Sequence, residues 1–371
     1  MGGDLVGNGP GQSAESPRAP IKRLLNIGET QMKKRITGWL FSVGRTALAV
    51  GLFLLSGSSA YAGDVINCAY PYWFGFAPTH VAQNLGYFAE EGLEVKWVFE
   101  NDRANVYPGL HTGDIDCTMR TIGEHMSRPL TADSNLVVIG VIDVSVGADG
   151  VIGAPGINSV TDLVGKVFAG EINHPGTVML AYALKQAGYS LSDVDLRLIA
   201  TDDGQAVFED SEVAALATWE PMMSEIVANT SRKGSKILLS SKDFKGLITD
   251  VVIANKSSYE GNREKYAKMM RGIYRAIDLY NSDPEKFLAS AAPTYDVTPD
   301  VMKGDLGGVY YTTYEDALEF FGVGGRKSKL KDVVDGLTDI NIELDLMDGP
   351  IAYEVMVDPT LTEGLFDGHN R

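Results

Sequence analysis

Residues 65–95, VINCAYPYWFGFAPTHVAQNLGYFAEEGLEV, constrain the fold more than any other stretch. Val65, Ile66, Cys68 and Tyr70 read as a strand with almost no polar interruption, the pattern of a strand covered on both faces. Pro71 ends it. Tyr72-Trp73-Phe74-Gly75-Phe76 then places aromatic groups where a loop is ordinarily polar. Ala77-Pro78 opens a helix, with proline in its first turn, and Val81, Ala82, Leu85 and Phe88 follow at helical spacing. Gly86 and Gly92 mark the exit, and Leu93-Glu94-Val95 begins the next strand. This is a βαβ opening with aromatic residues at the carboxyl edge of its strand, the edge at which open α/β sheets hold ligands. The aromatics then form a wall of a small-molecule pocket, or they pack beneath a neighbouring loop.

Not all 371 residues belong to the folded part. Met32-Lys33-Lys34-Arg35 is a basic start, residues 46–55 (TALAVGLFLL) are a short apolar run, and Ala60-Tyr61-Ala62 is a cleavage signal before Gly63. The run is too short to span a bilayer with these flanks, and no lipid-anchoring cysteine follows it. Residues 1–62 therefore read as a leader, with Met32 a natural start and residues 1–31 an extension or an upstream start. Cleavage near Ala62-Gly63 places the protein in the periplasm. The leader is net basic, so the remainder is more acidic than the whole-chain charge of −17. Such a chain lacks the cationic surface that nucleic acid requires, and at long range it favours cationic ligands.

Further along, strands are expected over 93–99, 115–119 and 136–144, with a helix over 107–112. A turn-rich break covers 145–150. A second α/β block follows, with strands at 167–169, 196–199, 213–217 and 237–239 and a helix over 178–187. Residues 248–254 read as a strand crossing back to the first block. From Arg263 the chain turns helical, and residues 359–371 read as a loosely held tail. The order predicts an α/β fold of two lobes joined by two crossings, near 145–151 and 250–254. Residues 63–148 would form the first part of lobe 1, 149–250 lobe 2, and 251–371 the rest of lobe 1 with carboxyl-terminal helices packed on it.

The two cysteines, Cys68 and Cys117, stand in strands that could be neighbours. They read either as a disulfide, which an oxidising compartment permits, or as two small buried hydrophobes. Two thiols alone make no zinc site, and none of the five histidines stands at ligand spacing. No cofactor or metal is expected.

Several segments together resemble the solute-binding proteins of ABC importers, in the taurine, aliphatic-sulfonate, nitrate and thiamine-pyrimidine-precursor group. They are APTHVAQNLGYFAEEGLEV, LHTGDIDCTM, INSVTDLVGKVFA, ALATWEPMMSEI, LSSKDFKGLITDVVIA and ALEFFG, spread over about residues 65–325. The resemblance implies a two-lobed periplasmic binding protein of type II-like architecture. One small ligand would sit in the interlobe cleft, the protein would act as a monomer, and the closed form would dock on a membrane permease.

Four strand-end groups should converge on that cleft. They are Tyr70, Trp73 and Phe74; Arg120, Thr121 and Glu124; Glu171, Asn173, His174 and Thr177; and Trp219 with Glu220, Asp250 lying near the crossing. His174-Pro175-Gly176-Thr177 opens a helix whose free N–H groups would favour an anion, or it is a simple cap. Trp219 offers a flat face on which a cation can stack, and Glu220 could accept from an ammonium or guanidinium. Glu124, Asp149, Glu171 and Asp250 near one cleft favour an amine-bearing ligand, because unpaired buried carboxylates are costly. Arg120 could hold an acid group or pair internally. The expectation is a taurine-like zwitterion or an amine or guanidino compound. The alternatives are an alkane sulfonate or nitrate, a pyrimidine precursor of thiamine, and a periplasmic sensor for a membrane receptor. No nucleophile elbow, phosphate loop, dinucleotide fingerprint or metalloprotease motif is present, so catalysis is not expected. Thiamine-pyrimidine-synthesising relatives use a cysteine-rich motif that this chain lacks.

Overall fold

In the computed structural model, which describes residues 63–127 and 134–369, the opening stretch folds as strand β1 (Asp64–Tyr70), a 3-10 turn (Phe74–Phe76), the helix Ala77–Asn84 and strand β2 (Leu93–Phe99). The leader and its cleavage site lie outside the described residues. Pro78 occupies the first helical turn, where no N–H is needed. Gly86 and Gly92 both adopt left-handed backbone, φ 82° and 68°, which side-chain-bearing residues resist at such tight reversals. The strands β1 and β2 run parallel over their whole length.

The remaining strands are β3 (Cys117–Thr121), β4 (Leu136–Ser145), β5 (Asp149–Gly153), β6 (Val167–Gly170), β7 (Asp195–Leu198), β8 (Val213–Trp219), β9 (Lys236–Ser240), β10 (Thr249–Asn255) and β11 (Val309–Tyr311). They form two sheets, ordered β11-β4-β10-β3-β1-β2 and β7-β6-β8-β5-β9. The chain leaves the first sheet after Ser145, builds the whole second sheet, and re-enters the first at Thr249. The return therefore runs through residues 241–248, earlier than the 250–254 expected, and Asp250 stands in the first sheet. The crossings are tied together where they pass. Ser145 Oγ and Ser241 Oγ lie 2.8 Å apart, Ser241 Oγ accepts the Gly147 N–H, and Ser145 Oγ accepts the Asp149 N–H.

Several elements depart from the sequence pattern for local reasons. The helix expected over 107–112 starts at Arg103, because the Asp102 side chain caps the Ala104 N–H. The strand expected from Ile115 starts at Cys117, because the Asp116 carboxylate is held by Asn67, Ser258 and Lys265. The helix expected from Val178 starts at Pro175, with His174 as its cap. The helix Lys329–Glu343 packs on the first lobe but also reaches the second through a 3.0 Å ion pair between Lys185 and Glu343. Over residues 359–369 the tail is held, not loose: Leu361 and Leu365 are buried in the first-lobe core, and Arg271 and Tyr314 donate to the Leu365 and Thr362 carbonyls.

Cys68 and Cys117 form a disulfide between directly opposed positions of β1 and β3, their Cα atoms 4.7 Å apart. No helix among the described residues is long and apolar enough to cross a membrane.

Candidate functional site

Strand ends from both sheets converge on one cavity between the lobes. Its apolar wall is Pro71, Trp73, Phe76, Pro175 and Trp219, and its polar wall is Arg120, Thr121, Glu124, Asp149 and Asp250. Register explains the convergence. Asp149 lies opposite Trp219 on β5 and β8, and Asp250 lies opposite Thr121 on β3 and Asp143 on β4. Trp219 comes from the second sheet yet packs in the first-lobe apolar cluster with Trp73 and Phe76. The open space is small, with room for about one or two waters.

The carboxylates on this wall fall into two kinds. Glu124 is fully satisfied: Oε2 accepts the Thr121 N–H at 3.0 Å in a capping box, and Oε1 accepts from Arg103. Burial alone would raise its carboxyl, but the Arg103 and Arg120 guanidiniums outweigh burial and hold it down at about 2. Arg103 also pairs with Glu171 of the second lobe, whose other oxygen accepts from Thr201 Oγ1 at 2.6 Å. A buried guanidinium thus bridges the lobes beside the cavity.

Asp149 and Asp250 have no cationic partner: the Asp149 carboxyl has the Ser145 hydroxyl beside it, and the Asp250 carboxyl has Asp143. Both are 4 % exposed, and Asp143, directly behind Asp250, is 0 % exposed. The salt bridges at the cavity all go to glutamates, and none of the three aspartates forms one among the described residues. Neither Asp143 oxygen accepts a well-formed hydrogen bond among the described residues. The Trp73 indole and the Asp250 carboxyl are their polar neighbours. A Cβ added to Gly75 would meet Trp73 Nε1 and Asp143 Oδ2, which shows how closely these groups gather. Burial pushes the Asp149 carboxyl up to about 7, and burial with the mutual repulsion of the acids pushes Asp143 and Asp250 up as well.

Of the thirteen residues expected at the cleft, Trp73, Arg120, Thr121, Glu124, Trp219 and Asp250 reach the cavity wall. The others stand outside it. Tyr70 packs against Phe76, His80, Trp97 and Phe99. Phe74 stacks edge-on against Tyr295. Glu171 is taken by Arg103, and its carbonyl by Thr177 Oγ1 at 2.7 Å. Asn173 is buried away from the wall. His174 caps its own helix, Nδ1 accepting the Gly176 N–H at 2.9 Å, and burial pushes its imidazole down to about 3, so it is neutral. It lies flat against Trp219, ring centroids 4.9 Å apart. The cap takes one of the N–H groups that an anion would have needed. Glu220 accepts from the Ser224 N–H and hydroxyl, capping the next helix instead of facing the cavity.

Arg103 and Asp143 are the participants that sequence reasoning missed, whereas Phe76 belongs to the aromatic stretch expected to wall a pocket. For Asp143 a signal existed: it is the one charged residue in the ten-residue run of β4, and a buried charge in an apolar strand is costly without a purpose. Arg120 also sits on the wall, but its Nη2 and Nη1 bond the carbonyls of Glu100 and Asn101. Among the described residues no cluster of His, Cys, Asp and Glu is arranged to hold a metal ion.

Two α/β lobes joined by two crossings, with strand ends meeting in the cleft, define the periplasmic-binding-protein fold. Solved structures bear this out at the level of fold. The aliphatic sulphonate binding protein SsuA from Escherichia coli superposes with TM-score 0.63 at 19 % identity, over 81 % of this chain and 99 % of that one. The nitrate-binding protein NrtA from Synechocystis gives 0.59 at 11 % identity, over 82 % and 89 %. The desulfurization enzyme DSZB gives 0.59 at 13 % identity, over 83 % and 100 %. A Brucella abortus chain named as a binding protein is 26 % identical over 70 % of this chain and 79 % of its own. Residues 73–287 match the family described as NMT1/THI5 like, and the chain belongs to that family.

Proposed function

We propose that the protein is the extracytoplasmic binding component of an ABC importer and carries a small, flat organic cation of amine or guanidine type to a membrane permease. One observation carries the choice of ligand. Asp149 and Asp250 line a cavity between two tryptophans, with Asp143 behind them and no salt bridge to any of the three among the described residues. A planar cation would stack on the indole faces and give the aspartates the partner that burial demands. The small cavity favours a small ligand, and opening of the lobes would admit it. The sulfonate and nitrate named for the structural neighbours fit less well. Arg120 is the only cationic side chain on the cavity wall among the described residues, and its terminal nitrogens are engaged.

A carrier role agrees with the side chains present. Both cysteines are joined in the disulfide, and the His174 imidazole is committed to its cap. A thermal-shift screen tests the reading with guanidinium, methylguanidinium, small amines, aminopyrimidines, taurine, alkane sulfonates and nitrate. Ligands that bind only the folded state raise the melting temperature by mass action. Stabilisation by the cations is expected; stabilisation by sulfonate or nitrate alone would overturn it.

A further inference from the structure

We propose that Asp143 and Asp250 share one proton in the ligand-free protein and release it when a cation occupies the cavity, so that Asp143 sets how binding depends on acidity from a position off the cavity wall. This inference rests on the cation-binding reading above.

Geometry carries it. The two residues are direct partners across antiparallel β4 and β10, so their side chains leave the same face of the sheet side by side. Asp143 is 0 % exposed and Asp250 4 % exposed. Only Asp250 reaches the cavity. Two carboxylates held this close in a dry setting cannot both stay ionised without a counter-charge, and a proton is the smallest one available. The direction in which burial and repulsion push both carboxyls agrees.

The surroundings offer little else. From β5 comes Asp149, and from the helix after β3 comes Glu124, both of which repel a charge on Asp250. Strand β3 brings Thr121 opposite Asp250, and Arg120, whose salt bridge goes to Glu124. Strand β11 brings Tyr311 opposite Asp143, its hydroxyl donating to the Phe74 carbonyl. Tyr295 also feels the Asp143 charge, and its hydroxyl is committed to the Trp73 carbonyl. The Trp73 indole is the remaining donor near the pair.

The exchange balances. One positive charge enters the cavity, one proton leaves the carboxyl pair for solvent, and the net charge of the buried site is unchanged. A permanently charged ligand should therefore bind more weakly as the medium is acidified through the range where the pair takes up its proton, by about tenfold per pH unit. Asp143→Asn replaces the pair by an amide–carboxylate pair of nearly the same shape. Asp250 then stays ionised, and the pair has no shared proton to give up.

The test is titration calorimetry of the purified protein with methylguanidinium chloride, repeated in buffers of different protonation heat, for wild type and Asp143→Asn. Wild type should release about one proton per bound cation at about pH 8, where Asp149 has already given up its own proton. Asp143→Asn should bind with almost no release and with an affinity flat in pH. Cation binding by wild type without proton release would overturn the inference while leaving the cation reading standing. Equal release from Asp143→Asn would overturn it too, assigning the proton to Asp149. If no cation bound, the functional reading itself would fail. The shared proton is then judged in the ligand-free protein by the infrared band of a protonated carboxyl. Read at about pH 8, where Asp149 is ionised, that band should be present in wild type and lost in both Asp143→Asn and Asp250→Asn, each checked for fold by circular dichroism. Its absence from wild type would overturn the inference.

Discussion

Glu124 and Asp250 line the same cavity, and both are 4 % exposed, yet they are held in opposite states. Glu124 has Arg103 and a capping-box N–H, and its carboxyl is held at about 2. Asp250 faces Asp143, Asp149 and Glu124, and its carboxyl is pushed up. Burial acts against the charge in both; the partner decides the outcome. One half of the wall is complete as it stands and joins the lobes. The other half lacks a positive charge, and that deficiency is the ground for the proposed cation ligand.

The largest effect should come from disarming the satisfied half of the wall. Arg103→Ala leaves buried Glu124 with only the more distant Arg120 guanidinium and half-buried Glu171 with only the Thr201 hydroxyl, and about 3–5 kcal/mol of stability should be lost, read by urea unfolding. Glu171→Gln should cost less, since Arg103 keeps Glu124. A result near zero for Arg103→Ala would mean that the interlobe ion pair is exposed to water in solution.

The unsatisfied half should respond in the opposite sense to pH. Folded Asp149 holds its proton up to about 7, whereas the unfolded chain loses it near the ordinary carboxyl value. The folded state then binds more protons between those limits, so this group's contribution to stability is full below the unfolded value and falls as pH rises. Glu124 does the reverse: its contribution is present above the ordinary value and lost as pH falls toward about 2. Asp149→Asn should therefore match wild type at about pH 4 and exceed it at about pH 8, by at most about 4 kcal/mol. Equal stability of the two proteins at the higher pH would show that Asp149 is already compensated.

Binding sharpens the same contrast. Asp250→Asn should weaken methylguanidinium by about a hundredfold or more, the usual cost of removing one partner of a buried charged hydrogen bond. Trp219→Leu removes a stacking face but no charge, and should weaken it by only about tenfold. Equal losses in the two variants would place the cation on the rings and away from the acids.

Much of this arrangement could be read from the sequence because it depends on local pattern. The β1-helix-β2 opening follows from the 65–95 periodicity. Trp73, Arg120 and Trp219 were found because they sit at strand ends, where an α/β sheet places its site. What could not be read depends on contacts between distant segments. Arg103 lies in a polar stretch, and its partner Glu171 is 68 residues away in the other lobe. Tyr70 and Phe74 are as aromatic as Trp73, but only tertiary packing turns them into the cluster with Tyr295 and Phe99. Glu220 follows Trp219 directly, yet helix capping by way of Ser224 claims its carboxylate. The pairing of Asp143 with Asp250 needed the register of β4 on β10, which sequence spacing does not give.

The most direct test of the central claim, that uncompensated aspartates make this a cation site, is calorimetric titration with methylguanidinium and with ethanesulfonate at matched ionic strength. Saturable binding of methylguanidinium and none of ethanesulfonate is expected. Saturable binding of ethanesulfonate with none of methylguanidinium would contradict it.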